Sequence, residues 1–355
     1  MMAKTFGNLF PRICSLENLY EAARKARKRK TRQECVERFE LHRERFLRQL
    51  RDELASGTWR PSGYRTFRIY DPRERLISAA PYRDRVVHHA LCNVIQPLVE
   101  RRFVADTFSC RKGKGTGAAR ERCRLYTNRY PYVLKCDIRK FFQSVDHDAL
   151  MAKLARTIRC RPTLQLCSAV VESSCDDEVP PVTFPGDTAR ALAGKRRGLP
   201  IGNLTSQIWG NLYLDRIDHL VKETWRAPGY ARYTDDFLIW GTDKTDLWTI
   251  RERIAEELID ERLLLHDRKT RVLQCSEGVP FLGFRFFPGR APRVLGEAKR
   301  RFEKRTRRQV SRWDRSDTQA QEIRTSIAGW CAFARYGNVR GLFTGYRARG
   351  FGLTG

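Results

Sequence analysis

The stretch YTDDFLIW at residues 233–240 places two aspartates, Asp235 and Asp236, between an aromatic residue and a run of four apolar residues. The apolar segments YARY and FLIW on either side predict two strands, so the two carboxylates are expected at the tip of a hairpin. An aspartate pair at a turn is weak evidence of a site, because aspartate favours turns and most such pairs are solvated. The pair becomes informative if a third carboxylate joins it.

A third carboxylate follows an apolar strand elsewhere in the chain. The segment YVLKCD predicts a strand over residues 132–137 that ends at Asp137. Three carboxylates brought together raise one another's proton affinity, which is costly unless divalent cations occupy the site. Oxygen-only ligands suit Mg²⁺, and two such ions about 3.5 to 4 Å apart can activate an attacking hydroxyl and stabilise a departing phosphate oxygen. We therefore expect Asp137, Asp235 and Asp236 to hold two Mg²⁺ ions.

The charge balance indicates the class of partner. The chain has 355 residues, with 69 Lys+Arg against 41 Asp+Glu, and a net charge of +28. Each cation that neutralises a phosphate releases condensed counterions, so nucleic acid is the expected partner. An anionic membrane is the weaker alternative, since no window approaches the roughly 18 consecutive apolar residues of a spanning helix. The N-terminus lacks a secretory pattern, and we expect a cytoplasmic protein.

The eleven cysteines predict reduced thiols rather than a zinc site or disulfides. Their number is odd and no CxxC pair occurs. Cys160, Cys167 and Cys175 lie close together along the chain, but their gaps match no common zinc-site spacing.

Basic helices are predicted at both ends of the chain. From about residue 16 to 56, apolar residues recur at helical spacing; they are Val36, Phe39, Phe46, Leu50 and Leu54. The other faces of this segment are strongly basic, and a solvated surface and a nucleic-acid contact remain equal alternatives. From about residue 295 the chain is again helical and very basic, with Lys304 and Arg308 as candidate nucleic-acid contacts.

Two further basic segments lie between the N-terminal helices and the first aspartate. Residues 58–82 alternate apolar and polar residues around the turn signal DPRE, which predicts a hairpin bearing Arg73 and Arg75. In the helix that follows, His88 and His89 are expected to pack or cap rather than to bind a metal.

The loop CRKGKGTGAA carries Arg111, Lys112 and Lys114 between glycines. It lacks the residue order of a P-loop, so we expect a flexible backbone that phosphates can approach. The acidic run CDDE at 175–178 lies in a polar stretch, residues 172–197, and is interpreted as a surface loop.

The motifs along the chain resemble a known family in both kind and order. The motifs are DIRKFF from Asp137, GLPIGNLTSQ from Gly198, YTDD from Tyr233, the lysine of DRKT at Lys269, and FLGF from Phe281. Together they resemble the ordered motifs of a reverse transcriptase palm, over about Phe67 to Phe284. No single motif would be specific, but five in this order are.

The resemblance implies an α+β right-hand polymerase fold with fingers, a palm containing an antiparallel sheet, and a helical thumb. The order of strands and helices independently predicts an α+β core flanked by helical segments. We expect a basic helical N-terminal extension at 1–60, fingers at 61–131, a palm at 132–290 and a thumb at 291–355. An insertion is expected near 155–198, within the palm.

The same resemblance implies roles for the aspartates. Asp137 and Asp235 would bind both metal ions, helped by the main-chain carbonyl of Ile138. Asp236 would complete the carboxylate cluster as a further metal ligand.

The resemblance also implies a site for deoxynucleoside triphosphates, the expected substrates. Phe142 stands where the family keeps a bulky residue that clashes with a ribose 2′-OH. Arg75 matches the fingers cation on the incoming triphosphate, and Lys269 the lysine that protonates pyrophosphate. Ile201 and Gln207 stand in the motif beside the templating base and are expected at the nucleotide.

The type of reverse transcriptase is indicated by one motif. Intron-encoded and retron relatives usually have QG and then SP where this chain has Ile201-Gly202 and Ser206-Gln207. IGNLTSQ resembles instead the reverse transcriptases of diversity-generating retroelements, which copy a template-repeat RNA into cDNA with errors concentrated at adenines. This resemblance implies a bacterial, archaeal or phage origin. It also implies three partners: the structured RNA of the element, the RNA/cDNA hybrid, and a small basic accessory variability protein.

Three alternatives remain open from the sequence. A reverse transcriptase of antiphage defence, or of the intron type, would share the chemistry and differ in its neighbouring genes. A metal-dependent nuclease would degrade nucleic acid with Mg²⁺ and would need no nucleotides. A basic RNA-binding scaffold would bind RNA without catalysis, although the presence of all three carboxylates counts against it.

Overall fold

The computed structural model describes residues 5–31, 33–70, 74–174, 182–188 and 194–348. Arg73, Cys175 and the acidic run at 175–178 lie outside these described residues, so the predictions for them stay predictions.

The N-terminal region is helical, as its apolar spacing predicts. Its helices are α1 (Phe10–Cys14), α2 (Leu16–Arg27), α3 (Glu34–Leu41) and α4 (Arg43–Ala55). The Ser15 side chain caps α2 by accepting a hydrogen bond from the N–H of Asn18. The predicted stripe faces the core: Val36, Phe39, Leu50 and Leu54 are buried and Phe46 packs against them.

An antiparallel hairpin follows. Strand β1 (Arg65–Ile69) pairs with β2 (Arg75–Ala79); most of β1 is exposed, whereas most of β2 is half-buried. Helix α5 (Tyr82–Val99) then passes through the core, and α6 (Thr116–Arg129) leads to the central sheet. The predicted hairpin and helix are both confirmed.

The central sheet has four antiparallel strands in the order β4-β5-β3-β6. Its strands are β3 (Tyr132–Asp137), β4 (Gly229–Tyr233), β5 (Asp236–Gly241) and β6 (Arg271–Gln274). Strand β3 ends at Asp137, and the turn between β4 and β5 contains Asp235. Both strand predictions that locate the aspartates are therefore confirmed.

Helices cover one face of this sheet. They are α7 (Phe141–Ser144), α8 (His147–Ala155), α9 (Arg161–Glu172), α10 (Leu204–Tyr213), α11 (Asp215–His219) and α12 (Lys244–Asp260). Leu134 and Cys136 of β3 pack on this side, whereas Val133 belongs to a second buried cluster on the opposite face. Because side chains alternate along a strand, Asp137 is on the same face as Val133.

The second cluster joins the sheet to the C-terminal part of the chain. A three-stranded antiparallel sheet is formed by β7 (Val279–Phe281), β8 (Phe284–Phe287) and β9 (Arg290–Val294), and it is followed by α13 (Gly296–Ser311), α14 (Asp317–Ala334) and α15 (Arg340–Ala348). Phe302 of α13 stacks on Trp330 of α14 with ring centroids 3.9 Å apart. The chain is thus α+β, with helical segments at both ends, as predicted.

The thiols in the described residues are free, and most of them are buried. In the same ranges, no helix is both long and apolar enough to span a membrane.

Candidate active site

Asp137 and Asp236 lie directly opposite each other on neighbouring antiparallel strands. Asp137 is the last residue of β3, Asp236 is the first of β5, and the two are register partners. Asp235 is in the two-residue turn that joins Tyr233 of β4 to Asp236. Strand pairing therefore brings the three predicted aspartates together at the same end of the two inner strands, β3 and β5.

Each of the two paired aspartates has a lysine on its carboxylate. The ammonium of Lys135 donates to both oxygens of Asp236, at 2.9 and 3.0 Å. The ammonium of Lys269 pairs with Asp137.

The segment bearing Lys269 is attached to the end of β3 by main-chain bonds. The N–H of His266 donates to the carbonyl of Asp137 at 2.8 Å, and the N–H of Lys269 donates to the carbonyl of His266 at 2.9 Å. Ile138, buried, forms an isolated bridge with Leu265. Lys269 is therefore held at the aspartates by the fold, as the motif order implied.

The carboxylates influence one another's protonation. Burial, together with the charges of Asp137 and Asp236, raises the pKa of Asp235 to about 6. Burial also raises the pKa of Asp236, while Lys135 opposes that shift. Carboxylate oxygens are the ligands that Mg²⁺ prefers, and a divalent ion offsets the repulsion between them. The chemistry of these three side chains therefore fits the predicted ions.

The three aspartates are not arranged as a ready-made metal cage. Across the ranges that the structure describes, no group of three or more His, Cys, Asp or Glu side chains is positioned to hold an ion. Two of the three carboxylates face lysines instead.

A buried ion pair supports the turn from behind, and it was not predicted from the sequence. Arg232 of β4 is 1% exposed and donates from Nε to Asp218 Oδ1 at 2.6 Å and from Nη2 to Asp218 Oδ2 at 2.5 Å. Its Nη1 donates to the carbonyl of Thr234, the residue before Asp235, at 3.0 Å. Thr234 has a φ of +60°, a left-handed conformation that is unfavourable for a β-branched residue. The arginine thus stabilises a strained turn that carries a predicted catalytic residue.

Further hydrogen bonds complete this support. Asp218 accepts from the hydroxyl of Tyr230 at 2.6 Å and from that of Thr107 at 3.2 Å. Asn211 Oδ1 accepts from Arg232 at 3.1 Å. The hydroxyl of Thr234 also bonds that of Ser109 at 2.8 Å. Buried charges of this kind are tolerated when their donors and acceptors are satisfied.

Phe142 lies beside the aspartates' strand, at the start of α7. It is half-buried and packs against Phe141, with ring centroids 5.2 Å apart. Gly210 of α10 lies against both rings: a Cβ there would be 3.1 Å from Phe141 and 3.3 Å from Phe142. The carbonyl of Phe142 accepts from the N–H of Leu199 at 2.7 Å, which links the motif DIRKFF to GLPIGNLTSQ.

Ile201 links the β1–β2 hairpin to α10. Its carbonyl accepts a hydrogen bond from the N–H of Ser78 in β2 at 3.3 Å. Arg75 begins the same strand opposite Ile69, and its side chain is exposed. Gln207 is exposed on α10. The hairpin and the start of the motif IGNLTSQ are therefore adjacent.

The glycine-rich loop is more tightly bonded than its sequence predicted. Arg111 donates to the carbonyls of Val104 and Thr107 at 2.8 and 3.0 Å. Lys114 donates to the carbonyl of Ala105 at 2.7 Å. The side chains of these two predicted nucleic-acid contacts thus bond to the main chain just before the loop, whereas Lys112 is exposed.

The candidate contacts on the C-terminal helix differ from those of the loop. Lys304 and Arg308 are both exposed on α13. The predicted contacts of the loop and of α13 with nucleic acid stay predictions.

Comparison with known proteins identifies the family. Residues 71–286, more than half of the chain, match the family model described as reverse transcriptase (RNA-dependent DNA polymerase). The chain belongs to the reverse transcriptase family. The matched range contains all three aspartates and Lys269, and it ends within β8.

Individual relatives of this reverse transcriptase are distant. A Saccharomyces cerevisiae protein named for intron 1 of COX1/OXI3 is 21% identical over 180 residues, which is 50% of this chain and 20% of that protein. Nuclear intron maturase 1, mitochondrial, of Arabidopsis thaliana is 26% identical over 116 residues, 33% of this chain and 16% of that protein. The chain thus spans a fifth or less of the length of these curated relatives.

Among solved structures, the apo telomerase of Candida tropicalis is similar with a TM-score of 0.47 and 13% identity. The similarity covers 64% of this chain and 47% of the telomerase chain.

Proposed function

We propose that the protein is an RNA-directed DNA polymerase that makes cDNA from the template RNA of a retroelement. The observation that supports this most is the register pairing of Asp137 with Asp236, with Asp235 in the adjoining turn and Lys269 on Asp137. Membership of the reverse transcriptase family agrees with this chemistry.

Each residue of the site has a role in this proposal. Asp137 and Asp235, with the carbonyl of Ile138, would hold two Mg²⁺ ions, which neutralise charge on the reacting phosphates and lower the pKa of the attacking hydroxyl. Lys269 exchanges its contact with Asp137 for the departing pyrophosphate and supplies a proton from its ammonium. Phosphoryl transfer needs little more than alignment and charge neutralisation, and these residues supply both.

The substrate is a deoxynucleoside triphosphate. Arg75 binds the triphosphate from the hairpin, and Phe142 excludes a ribose 2′-OH by its bulk. Ile201 and Gln207 lie on the surface that joins the hairpin to α10, beside the templating base.

The proposed domain limits are those that the family resemblance implies. Residues 61–131 form the fingers, 132–290 the palm with an insertion near 155–198, and 291–355 the thumb. Residues 1–60 form a basic extension. The central sheet lies within the proposed palm, and α13 with its exposed cations lies within the proposed thumb.

The finer assignment is a reverse transcriptase of the diversity-generating type, acting in the cytoplasm of a bacterium or archaeon or encoded by a phage. Its support is the sequence IGNLTSQ, in which Ile201 stands where intron-encoded and retron reverse transcriptases usually have glutamine. The partners are then a template-repeat RNA and a small basic accessory variability protein.

A second candidate is a reverse transcriptase of the intron type. The names of the two curated relatives, an intron protein and an intron maturase, favour it. Both candidates require the same chemistry and differ in fidelity.

Primer extension on an RNA template with Mg²⁺ and dNTPs tests the proposal. Asp137→Ala and Asp235→Ala are expected to abolish extension. Asp148→Ala, a change at an exposed aspartate of α8, is the matched control and is expected to extend like the wild type.

Sequencing the cDNA separates the two types. Errors concentrated at template adenines support the diversity-generating type, and faithful cDNA supports the intron type. Degradation of the template without dNTPs would indicate a nuclease. RNA binding without extension, even with cellular RNA and partner proteins supplied, would indicate a scaffold.

A further inference from the structure

One cation at the aspartates has no role in the chemistry proposed above. Lys135 of β3 donates to Asp236 Oδ1 at 2.9 Å, to Asp236 Oδ2 at 3.0 Å and to the carbonyl of Pro280 at 3.1 Å. An ammonium has three N–H donors, so these three acceptors occupy all of them. Lys135 is therefore fixed where it lies and has no donor left for a substrate.

The strand register dictates this contact. Lys135 is opposite Leu238, and Asp137 is opposite Asp236, so Lys135 is the diagonal neighbour of Asp236 on the same face. Pro280 belongs to β7, in the other sheet. Lys135 thus joins Asp236 to a neighbouring sheet through main-chain and side-chain contacts.

The second lysine at the site differs in each of these respects. The Lys269 side chain is 33% exposed and lies in a turn, whereas that of Lys135 is 16% exposed and lies within a strand. The greater exposure of Lys269 allows it to move between Asp137 and a substrate. The buried position of Lys135 favours a permanent pairing with one carboxylate.

We propose that Lys135 is a positioning residue that keeps Asp236 neutralised, so that Asp137 and Asp235 alone remain as the carboxylate ligands of the catalytic ions. This inference rests on the proposed function and refines it, because the family resemblance placed Asp236 among the metal ligands. A neutralised carboxylate attracts a divalent ion far less than a free one does.

A set of isosteric variants tests this directly through Mn²⁺ binding, measured on the full-length protein without nucleic acid by electron paramagnetic resonance. Lys135→Met leaves the negative charge of Asp236 without its partner and is therefore expected to tighten Mn²⁺ binding by about tenfold. Asp236→Asn leaves Lys135 unpaired and is expected to weaken it. The double variant K135M/D236N removes both charges and is expected to bind Mn²⁺ within about threefold of the wild type.

Lys153→Met is the matched control, because Lys153 and Glu261 form a similarly buried lysine–carboxylate pair that includes none of the three aspartates. It is expected to lower the melting temperature without changing the Mn²⁺ affinity. If Lys135→Met alone does not fold, the double variant, which leaves no unpaired charge, still provides the decisive measurement.

Two results would overturn the inference. If K135M/D236N loses Mn²⁺ binding as Asp235→Asn does, Asp236 is a metal ligand. If Lys135→Met leaves the affinity unchanged, as Lys153→Met is expected to do, Lys135 is merely structural.

Primer extension by the wild type distinguishes the two levels of the proposal. If the wild type extends primers and either of the two contrary results for the variants is found, only the inference about Lys135 is refuted. A wild type that neither extends primers nor binds Mn²⁺ refutes the proposed function.

Discussion

Arg232 and Asp218 form a two-point ion pair that is almost completely buried behind the turn containing Asp235. The two bonds are 2.6 and 2.5 Å long, and the side chains are 1% and 0% exposed. The same arginine donates to the carbonyl of Thr234, so the ion pair and the turn form one unit. The position of Asp235 therefore depends on two residues that are buried behind its turn.

We expect Arg232→Met to destabilise the protein by about 3 to 5 kcal/mol, because it leaves the carboxylate of Asp218 buried without a counter-charge. Primer extension is expected to fall as well, since the Thr234 carbonyl loses its donor and the strained turn relaxes. Urea unfolding and extension assays measure the two effects.

Arg51→Met is the control for loss of an arginine ion pair. Arg51 and Asp52 form an exposed pair, for which a change of about 0 to 1 kcal/mol is expected. If Arg232→Met unfolds at the same urea concentration as Arg51→Met, the proposed support of the turn is wrong.

The sequence predicted the local structure of the site well. Alternation and apolar runs located the end of β3 at Asp137 and the hairpin tip at Asp235, because strand ends and turns depend on neighbouring residues. The order of the motifs then indicated the family.

The partners of the charged residues could not be predicted, because they depend on contacts between distant segments. An arginine within the apolar stretch YARY signals a buried counter-ion, yet nothing local selects Asp218 over the other aspartates. The pairing of Lys135 with Asp236 required the strand register. Likewise, Arg111 looked free for phosphates, whereas the folded loop gives it main-chain carbonyls.

Buried histidines make the stability of the fold sensitive to acid. His88 is 2% exposed, and burial together with the charges of His89 and Arg85 lowers its pKa to about 4. In the unfolded state His88 therefore binds a proton below about pH 6.5, whereas in the folded state it binds one only below about pH 4. Through His88, stability is expected to fall as the pH drops from about 6.5 to about 4.

His88→Asn removes this dependence in part, because His89 has a similarly lowered pKa and remains. We expect the loss of unfolding free energy between pH 7.5 and pH 4.5 to be smaller in His88→Asn than in the wild type. His42→Asn, at an exposed histidine, should lose as much as the wild type. Equal slopes in all three proteins would contradict a buried neutral His88.

Phe142 is predicted to set the choice between deoxyribose and ribose. Phe142→Ala opens the space beside the sugar, so discrimination against ribonucleotides, measured as the ratio of kcat/KM for dNTP and rNTP, is expected to fall by about 10- to 200-fold. Phe46→Ala, at a partly buried phenylalanine of α4, is expected to leave the ratio unchanged. A ratio that survives in Phe142→Ala would remove Phe142 from the nucleotide site.

Ile201 is predicted to determine fidelity at template adenines. Its aliphatic side chain offers no hydrogen bond at the junction of the hairpin and α10, where its main chain is fixed to Ser78. Glutamine at this position supplies a donor and an acceptor, so Ile201→Gln is expected to lower the adenine error frequency in sequenced cDNA. Ile201→Val keeps an aliphatic side chain and is expected to retain the errors, and the error frequency at template cytosines serves as the internal reference. An unchanged adenine error frequency in Ile201→Gln would show that infidelity, where present, arises elsewhere in the site.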